Sequence, residues 1–286
     1  TGKKAYAIGM GPFPDGVYRA EFPNIYRAPK GMADEDKIKY YVDNLEHMFV
    51  EAAPADSVAA IIFEPIQGEG GFVPAPIEWV KAVRQICDKH GILMVTDEVQ
   101  TGWSRSGSLF VSDYYKEAGC APDIMTTAKS IAGGLPLSAV VAKKEIMDAV
   151  PAGTIGGTYC GNPLACASAL KVLEVMEKAD YPGKAKKIGA IAMDKFNEWK
   201  EKYEVIGDVR GIGSMIGVEF VKDKATKEAN AEIVGKIVNY AVKKGLMLEA
   251  AGTYGNVIRF LCPLCVTDEQ LKKGLEIYEE AIVSCM

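Results

Sequence analysis

Three short apolar runs, separated by helix-like stretches, constrain this chain more than any other feature. Val58-Ala-Ala-Ile-Ile-Phe63 ends at Glu64, the run from Gly91 ends at Asp97, and Ile124 and Met125 lead to Lys129. Runs this short and this apolar read as strands buried on both faces of a parallel sheet. Between the first two, residues 77–90 place Trp79, Val80, Val83 and Ile86 on one helical face,. The strand–helix–strand–helix–strand order implies an α/β fold with a parallel sheet flanked by helices. Strand ends in such sheets open into the ligand crevice. Glu64, Asp97 and Lys129 are therefore the first residues to weigh.

Lys129 is flanked by the small residues Thr127, Ala128 and Ser130 and followed by Gly133-Gly134. A bulky group can stand over it without a clash. A lysine desolvated in a crevice has a lowered pKa and a nucleophilic amine, which forms a Schiff base with a carbonyl. From this window alone, a surface lysine on a loop is the simpler reading. Asp97 shifts the balance, because a carboxylate at the end of a buried strand is costly unless it meets a cation. Pyridoxal phosphate carries one, a protonated ring nitrogen that needs an acidic partner. A lysine and an aspartate on successive buried strands fit one such cofactor between them, whereas a turn or helix-cap carboxylate is the plainer alternative for Asp97, as for Glu98 beside it.

Four stretches in order, Glu64–Gly71, Val95–Gly107, Thr126–Ser130 and Gly157–Ala165, are similar to signatures of the class III aminotransferases, the omega-amino acid branch of the fold-type I pyridoxal phosphate enzymes. The resemblance runs almost from end to end. Residues 10–19 resemble the branch that uses 4-aminobutyrate. The resemblance implies a mostly parallel central sheet in a large domain over 1–180 and a smaller C-terminal α+β domain over 181–286. It implies that Lys129 forms the aldimine with pyridoxal 5'-phosphate and shuttles a proton, that Asp97 holds the ring nitrogen, that Gln100 bonds the ring hydroxyl and that Glu64 orients that network. The residue matching Thr158 reaches the phosphate of a neighbouring subunit's cofactor, so a homodimer is expected. Family members carry a long segment ahead of the part that opens here, including the loop for the cofactor phosphate and the aromatic that stacks on its ring. The chain is therefore expected to be the C-terminal two-thirds of a longer protein.

Glu69 lies beyond the first strand on a turn rich in glycine (Gly68, Gly70 and Gly71), which reads as flexible,. It is either a solvated loop acid or a group at the substrate's end of the cofactor. Arg259 interrupts the apolar strand Val257-Ile-Arg-Phe-Leu261 and needs an anion,. That anion is either a structural carboxylate or, as the resemblance implies, that of the substrate. Together the two make a switch: Glu69 neutralises Arg259 while the amine donor, 4-aminobutyrate in the leading reading, is bound, and moves aside for a 2-oxo acid such as 2-oxoglutarate. A same-fold isomerase, an aminomutase or racemase, would use the same Lys129 and Asp97 but release no 2-oxo acid. A truncated, inactive subunit is the third reading.

Composition closes off other classes. A net charge of −5 argues against nucleic acid as a partner,. No apolar run approaches a membrane span, and no secretory signal is evident,. Seven cysteines without regular spacing read as free thiols of a cytoplasmic protein, Cys262-Pro-Leu-Cys265 being a lone pair and Cys160 having no assigned role,. With only His47 and His90, neither a histidine metal cluster nor a Ser-His-Asp triad is expected,. Along the rest of the chain, residues 1–30 read as an extended loop. Helices are expected at 34–53, 145–150, 163–177, 184–203, 229–244 and 268–285, with strands at 139–142, 209–220 and 256–261. In the 163–177 helix, Leu164, Ala167, Ala169, Leu170, Leu173 and Val175 are candidates for burial, and its start at Asn162-Pro163 offers N–H groups to a phosphate,.

Overall fold

The computed structural model describes residues 4–286; the first three residues of the expected N-terminal loop lie outside it. In chain order the elements are α1 (Lys4–Ala7), α2 (Asp34–Glu51), β1 (Ala60–Phe63), β2 (Ile66–Gln67), β3 (Val73–Pro74), α3 (Ile77–His90), β4 (Leu93–Asp97), α4 (Val111–Glu117), β5 (Ile124–Thr127), β6 (Ala139–Ala142), α5 (Lys144–Asp148) and α6 (Pro163–Lys178). There follow α7 (Tyr181–Lys202), β7 (Ile206–Ile212), β8 (Met215–Phe220), α8 (Ala231–Lys243), β9 (Glu249–Ala251), β10 (Val257–Phe260) and α9 (Asp268–Cys285). Among the described residues, no helix is long and apolar enough to cross a membrane. The chain forms two compact units. One comprises residues 18–65 and 75–182, the other residues 1–17, 66–74 and 183–286.

The first unit holds the sheet β1-β4-β5-β6, in which β1, β4 and β5 run parallel and β6 antiparallel. The register sets Phe63 beside Thr96 and Asp97 beside Thr126, so the three parallel strands end within a residue or so of one another. Helix α3 buries Trp79, Val80, Val83, Ile86 and Cys87, has Glu78 in its first turn and Lys89 and His90 in its last, and stops at Gly91 in the left-handed conformation (φ 69°). The charges complement the helix dipole and the glycine supplies the C-cap that a side chain would disfavour. Fully burying each large apolar side chain contributes about 1.5–3 kcal/mol.

Helix α6 corrects the expected burial. Its inward stripe is Ala165, Ala169, Val172 and Met176, packed with Trp103, Ile131 and Ala132. Leu164 and Leu170, expected inside, are 74% and 69% exposed, and Leu173 and Val175 are also exposed. The helix is apolar on two sides, and the 3.6-residue period alone does not say which side meets the sheet.

The second unit is built on the antiparallel sheet β7-β8-β10-β9, with β2 and β3 as a separate ribbon. The expected strand at 209–220 is two strands, β7 and β8, turning at Gly213 (φ 59°). Every residue of β8 is buried. Phe196 and Trp199 of α7, Phe260 of β10 and Tyr278 of α9 make an aromatic cluster with ring centroids 5.1–5.7 Å apart. Helix α9 starts with a capping box, Thr267 and Gln270 each bonding the other's backbone N–H,. Asp180 takes a positive φ (46°) and ends α6, and Pro182 falls in the first turn of α7, where its missing N–H costs no helix bond,.

Candidate active site

The parallel strands deliver Glu64, Asp97 and Lys129 to one end of the sheet. β5 ends at Thr127, and Lys129 opens a 3-10 turn (Lys129–Ala132) with φ 48°. That left-handed conformation is disfavoured for a residue with a Cβ. Buried groups on both sides hold it in place. Trp103 Nε1 donates to Thr127 Oγ1 at 2.7 Å, Ser168 Oγ donates to the Ala132 carbonyl at 2.9 Å, and Ile131 and Ala132 sit in the core. The lysine side chain itself is exposed.

Asp97 and Glu98 have different surroundings. Asp97, half-buried, accepts from the Val99 N–H through Oδ1 at 3.0 Å, while Oδ2 has no partner among the described residues. Glu98 is fully buried and accepts from Thr101 Oγ1, the N–H groups of Val111 and Ser112, and Ser112 Oγ at 2.5–3.1 Å. It is the helix-start carboxylate of α4. Burial pushes its carboxyl up, against the pull of those donors.

Gln100, half-buried, keeps its Oε1 atom inside the protein with no hydrogen-bond partner among the described residues. A buried acceptor without a donor is costly, and a ring hydroxyl of a bound ligand is a donor of the kind it lacks. The residues present thus fit pyridoxal phosphate: an exposed amine, a carboxylate oxygen open to a ring N–H, and an acceptor waiting for an O–H.

The start of α6 departs from expectation. Asn162 Oδ1 takes the N–H groups of Leu164 and Ala165, at 3.0 and 3.3 Å, so those donors are already engaged. Thr158 sits exposed on the preceding turn, beside the exposed Cys160.

In the other unit, Arg259 and Glu69 are brought together. Arg259 Nη1 donates to Glu69 Oε1 at 2.5 Å, and Tyr6 O–H donates to Glu69 Oε2 at 3.0 Å. That contact raises the Tyr6 pKa. The loop carrying Glu69 is pinned, contrary to the flexibility read from its glycines. The Gly252 N–H donates to the Glu69 carbonyl at 3.0 Å, and Arg210 donates to the Gly71 carbonyl through Nε and Nη2 at 3.1 and 2.7 Å. Gly71 has φ 110°, and a Cβ there would lie 3.1 Å from Gly252 Cα and Val257 Cγ2. The glycine serves close approach here.

Two participants escaped the sequence reading. Arg210 is held by Glu219 and Asp208 at 2.6 and 2.9 Å. Glu249 of β9 forms an ion pair with Arg259, its Oε2 lying 2.5 Å from Nη2. The signal for Arg210 was an arginine in a glycine-broken apolar run; for Glu249 there was none, since the pairing of β9 with β10 is not written in either segment.

The aminotransferase class-III family model matches residues 1–282. The chain is 48% identical over 281 residues to the 5-aminovalerate aminotransferase DavT of Pseudomonas putida and 42% identical over 281 residues to the 4-aminobutyrate aminotransferase GabT of Escherichia coli, covering 98% of this chain and 64% of each relative. It is also 42% identical over 266 residues to a leucine/methionine racemase of Thermococcus litoralis, covering 93% of this chain and 59% of the racemase. An amine transaminase from an uncultivated Pseudomonas species, solved in its pyridoxal-phosphate-bound form, superposes with a TM-score of 0.90 at 33% identity, over 99% of this chain and 65% of that one. The chain thus spans about 64% of the length of the aminotransferase relatives it matches. On the family match and these identities, it belongs to the class-III aminotransferases.

Proposed function

We propose that this chain carries the chemistry of a pyridoxal-phosphate aminotransferase that moves an amino group from an omega-amino acid, 4-aminobutyrate in the leading reading, to a 2-oxo acid such as 2-oxoglutarate. The observation that carries the reading is the placement of Lys129 and Asp97 at the ends of adjacent parallel strands, Asp97 being paired with Thr126 three residues before the lysine. When bound, the cofactor supplies a carbonyl carbon for an amine and a protonated ring that draws electrons from the substrate carbon. Lys129 Nζ would hold it covalently and would carry a proton to and from the substrate carbon. Asp97 Oδ2 holds the ring N–H, Oδ1 being fixed by Val99. Gln100 Oε1 accepts from the ring hydroxyl, and Glu64 orients that network. Thr158 Oγ1, exposed in the single chain, serves the phosphate held by a second copy in a homodimer. Arg259 binds the carboxylate of the 2-oxo acid once the Glu69 side chain rotates off Nη1. Because the loop is pinned, that movement belongs to the side chain. The free thiols support a cytoplasmic setting,.

The similarity to a racemase supports an isomerase as the second reading. Both are tested by incubating the chain with pyridoxal phosphate, an omega-amino acid and 2-oxoglutarate, then following absorbance and products. Transfer of the amino group to the 2-oxo acid is expected. In a parallel incubation with a single enantiomer of a chiral amino acid, racemisation with no 2-oxo acid consumed would favour the isomerase. Lys129→Ala should lose borohydride-fixable attachment of the cofactor while keeping the wild-type circular dichroism spectrum. A label retained in that variant would move the site to another lysine.

A further inference from the structure

Arg259 meets two carboxylates, and the reading above uses only one. Glu249 lies directly across the β9–β10 pair from Arg259, and the strand register delivers its Oε2 to Nη2 at 2.5 Å. Glu69 reaches Nη1 from the β2–β3 loop, at the same distance. Nε is buried and has no partner among the described residues. The guanidinium, 14% exposed, thus has one acid on each terminal nitrogen.

The two acids are held differently. The Glu69 side chain, 29% exposed, extends from a loop and is also held by the Tyr6 hydroxyl. Glu249, 67% exposed, is a cross-strand neighbour whose backbone is fixed by pairing to β10. Rotation of Glu69 off Nη1 therefore leaves Arg259 still paired. An incoming carboxylate meets a guanidinium whose charge is already matched once, and meets the repulsion of Glu249 as well. Full bidentate capture, the geometry that makes arginine a strong carboxylate ligand, is opposed for as long as Glu249 stays on Nη2.

We propose that Glu249 is a specificity-determining residue of the Arg259 anion subsite, weakening its hold on an incoming carboxylate. The proposal deepens the aminotransferase reading and rests on it for the identity of the natural ligand, a 2-oxo dicarboxylic acid. A like charge placed against a ligand is a common way to set specificity by repulsion.

The test is titration calorimetry of the full chain with glutarate, an unreactive five-carbon dicarboxylate, in buffer containing pyridoxal phosphate. Glu249→Gln and Glu249→Leu remove the charge in two ways, so misfolding of one leaves the other. Both should bind glutarate about fivefold more tightly than wild type, on the order of 1 kcal/mol. The gain should shrink at about 0.5 M salt, because an exposed charge is screened. Arg259→Gln should abolish saturable binding. Unchanged or weaker binding in both charge-free variants would overturn the proposal, as would absence of saturable binding in all forms, since Glu249 would then have nothing to oppose. The two readings fail separately. Absent amino transfer with the affinity shift intact counts against the aminotransferase alone; intact transfer with no shift counts against Glu249 alone.

Discussion

Asp97 and Glu98 are chemically similar neighbours in different surroundings. Asp97 is the last residue of β4, and successive residues at a strand end point to opposite sides. One carboxylate therefore reaches the crevice end of the sheet and the other turns into the core beneath α4. The sequence shows the pair but not which way each points, because that depends on where β4 stops. Asp97→Asn should cost far more than its size suggests. The amide is nearly isosteric, so cofactor binding should survive, yet each unit lost from the ring-nitrogen pKa is worth about 1.4 kcal/mol. A turnover at least a hundredfold below wild type is expected for the cofactor-loaded variant. Near-normal turnover would remove Asp97 from the role. Gln100 shows the other limit of the sequence, which supplies its identity through the family signature, while only the structure shows its acceptor to be buried and unpartnered.

Among the elements, α3 and α9 match the sequence reading residue for residue, because each pairs an apolar stripe with a terminal signal: Gly91 for one, Thr267 and Gln270 for the other. The hairpin β7–β8 was read as one strand because Gly211 and Gly213 looked like interruptions within a run; the chain reverses there. The same hairpin carries Arg210, whose contacts decide how the Glu69 loop behaves. Arg210 is nearly buried and Glu219 wholly so. Arg210→Ala should lower stability by about 3–5 kcal/mol, the cost of removing the cation from a buried ion pair, as read from urea denaturation. A loss below about 1 kcal/mol would show that the loop is held by its other contacts.

At the opposite end of β5 from Lys129, Asp123 immediately precedes the strand and is bonded by Lys143, Arg84 and the Met94 N–H at 2.5–2.8 Å. Burial alone would raise its carboxyl, but the Lys143 ammonium, the Met94 N–H and Arg84 outweigh it and hold the pKa below the usual carboxylate value. A depressed pKa contributes stability above the unfolded value of about 3.9, and that contribution is lost as pH falls through the folded value. Asp123→Asn should therefore cost about 2 kcal/mol at pH 7, and its gap to wild type should narrow as pH drops below about 4. A gap that stays constant from pH 7 to pH 3 would mean that the charge contributes nothing.

For the whole molecule, the α/β class was legible from three apolar runs, but the grouping of segments was not. Residues 66–74 interrupt the first half of the chain and belong by their contacts to the second unit, through pairings with Arg210 and Gly252 that lie far away in sequence. The outward side of α6, with Leu164 and Leu170, and the turn bearing Tyr159 present apolar surface around Thr158 in sequence. Light scattering on a sizing column should give twice the 30.8 kDa chain mass. A monomer that still binds pyridoxal phosphate through its phosphate would cancel the cross-subunit role of Thr158.

The left-handed backbone at Lys129 has a consequence for how such a chain evolves. A side chain at φ 48° costs on the order of 1 kcal/mol relative to glycine,. The exposed lysine recovers none of this through packing. A population selected only for heat resistance would drift toward glycine at this position, losing the amine proposed to hold the cofactor while making the protein tougher. Persistence of lysine under such conditions would then be a record of continuing use.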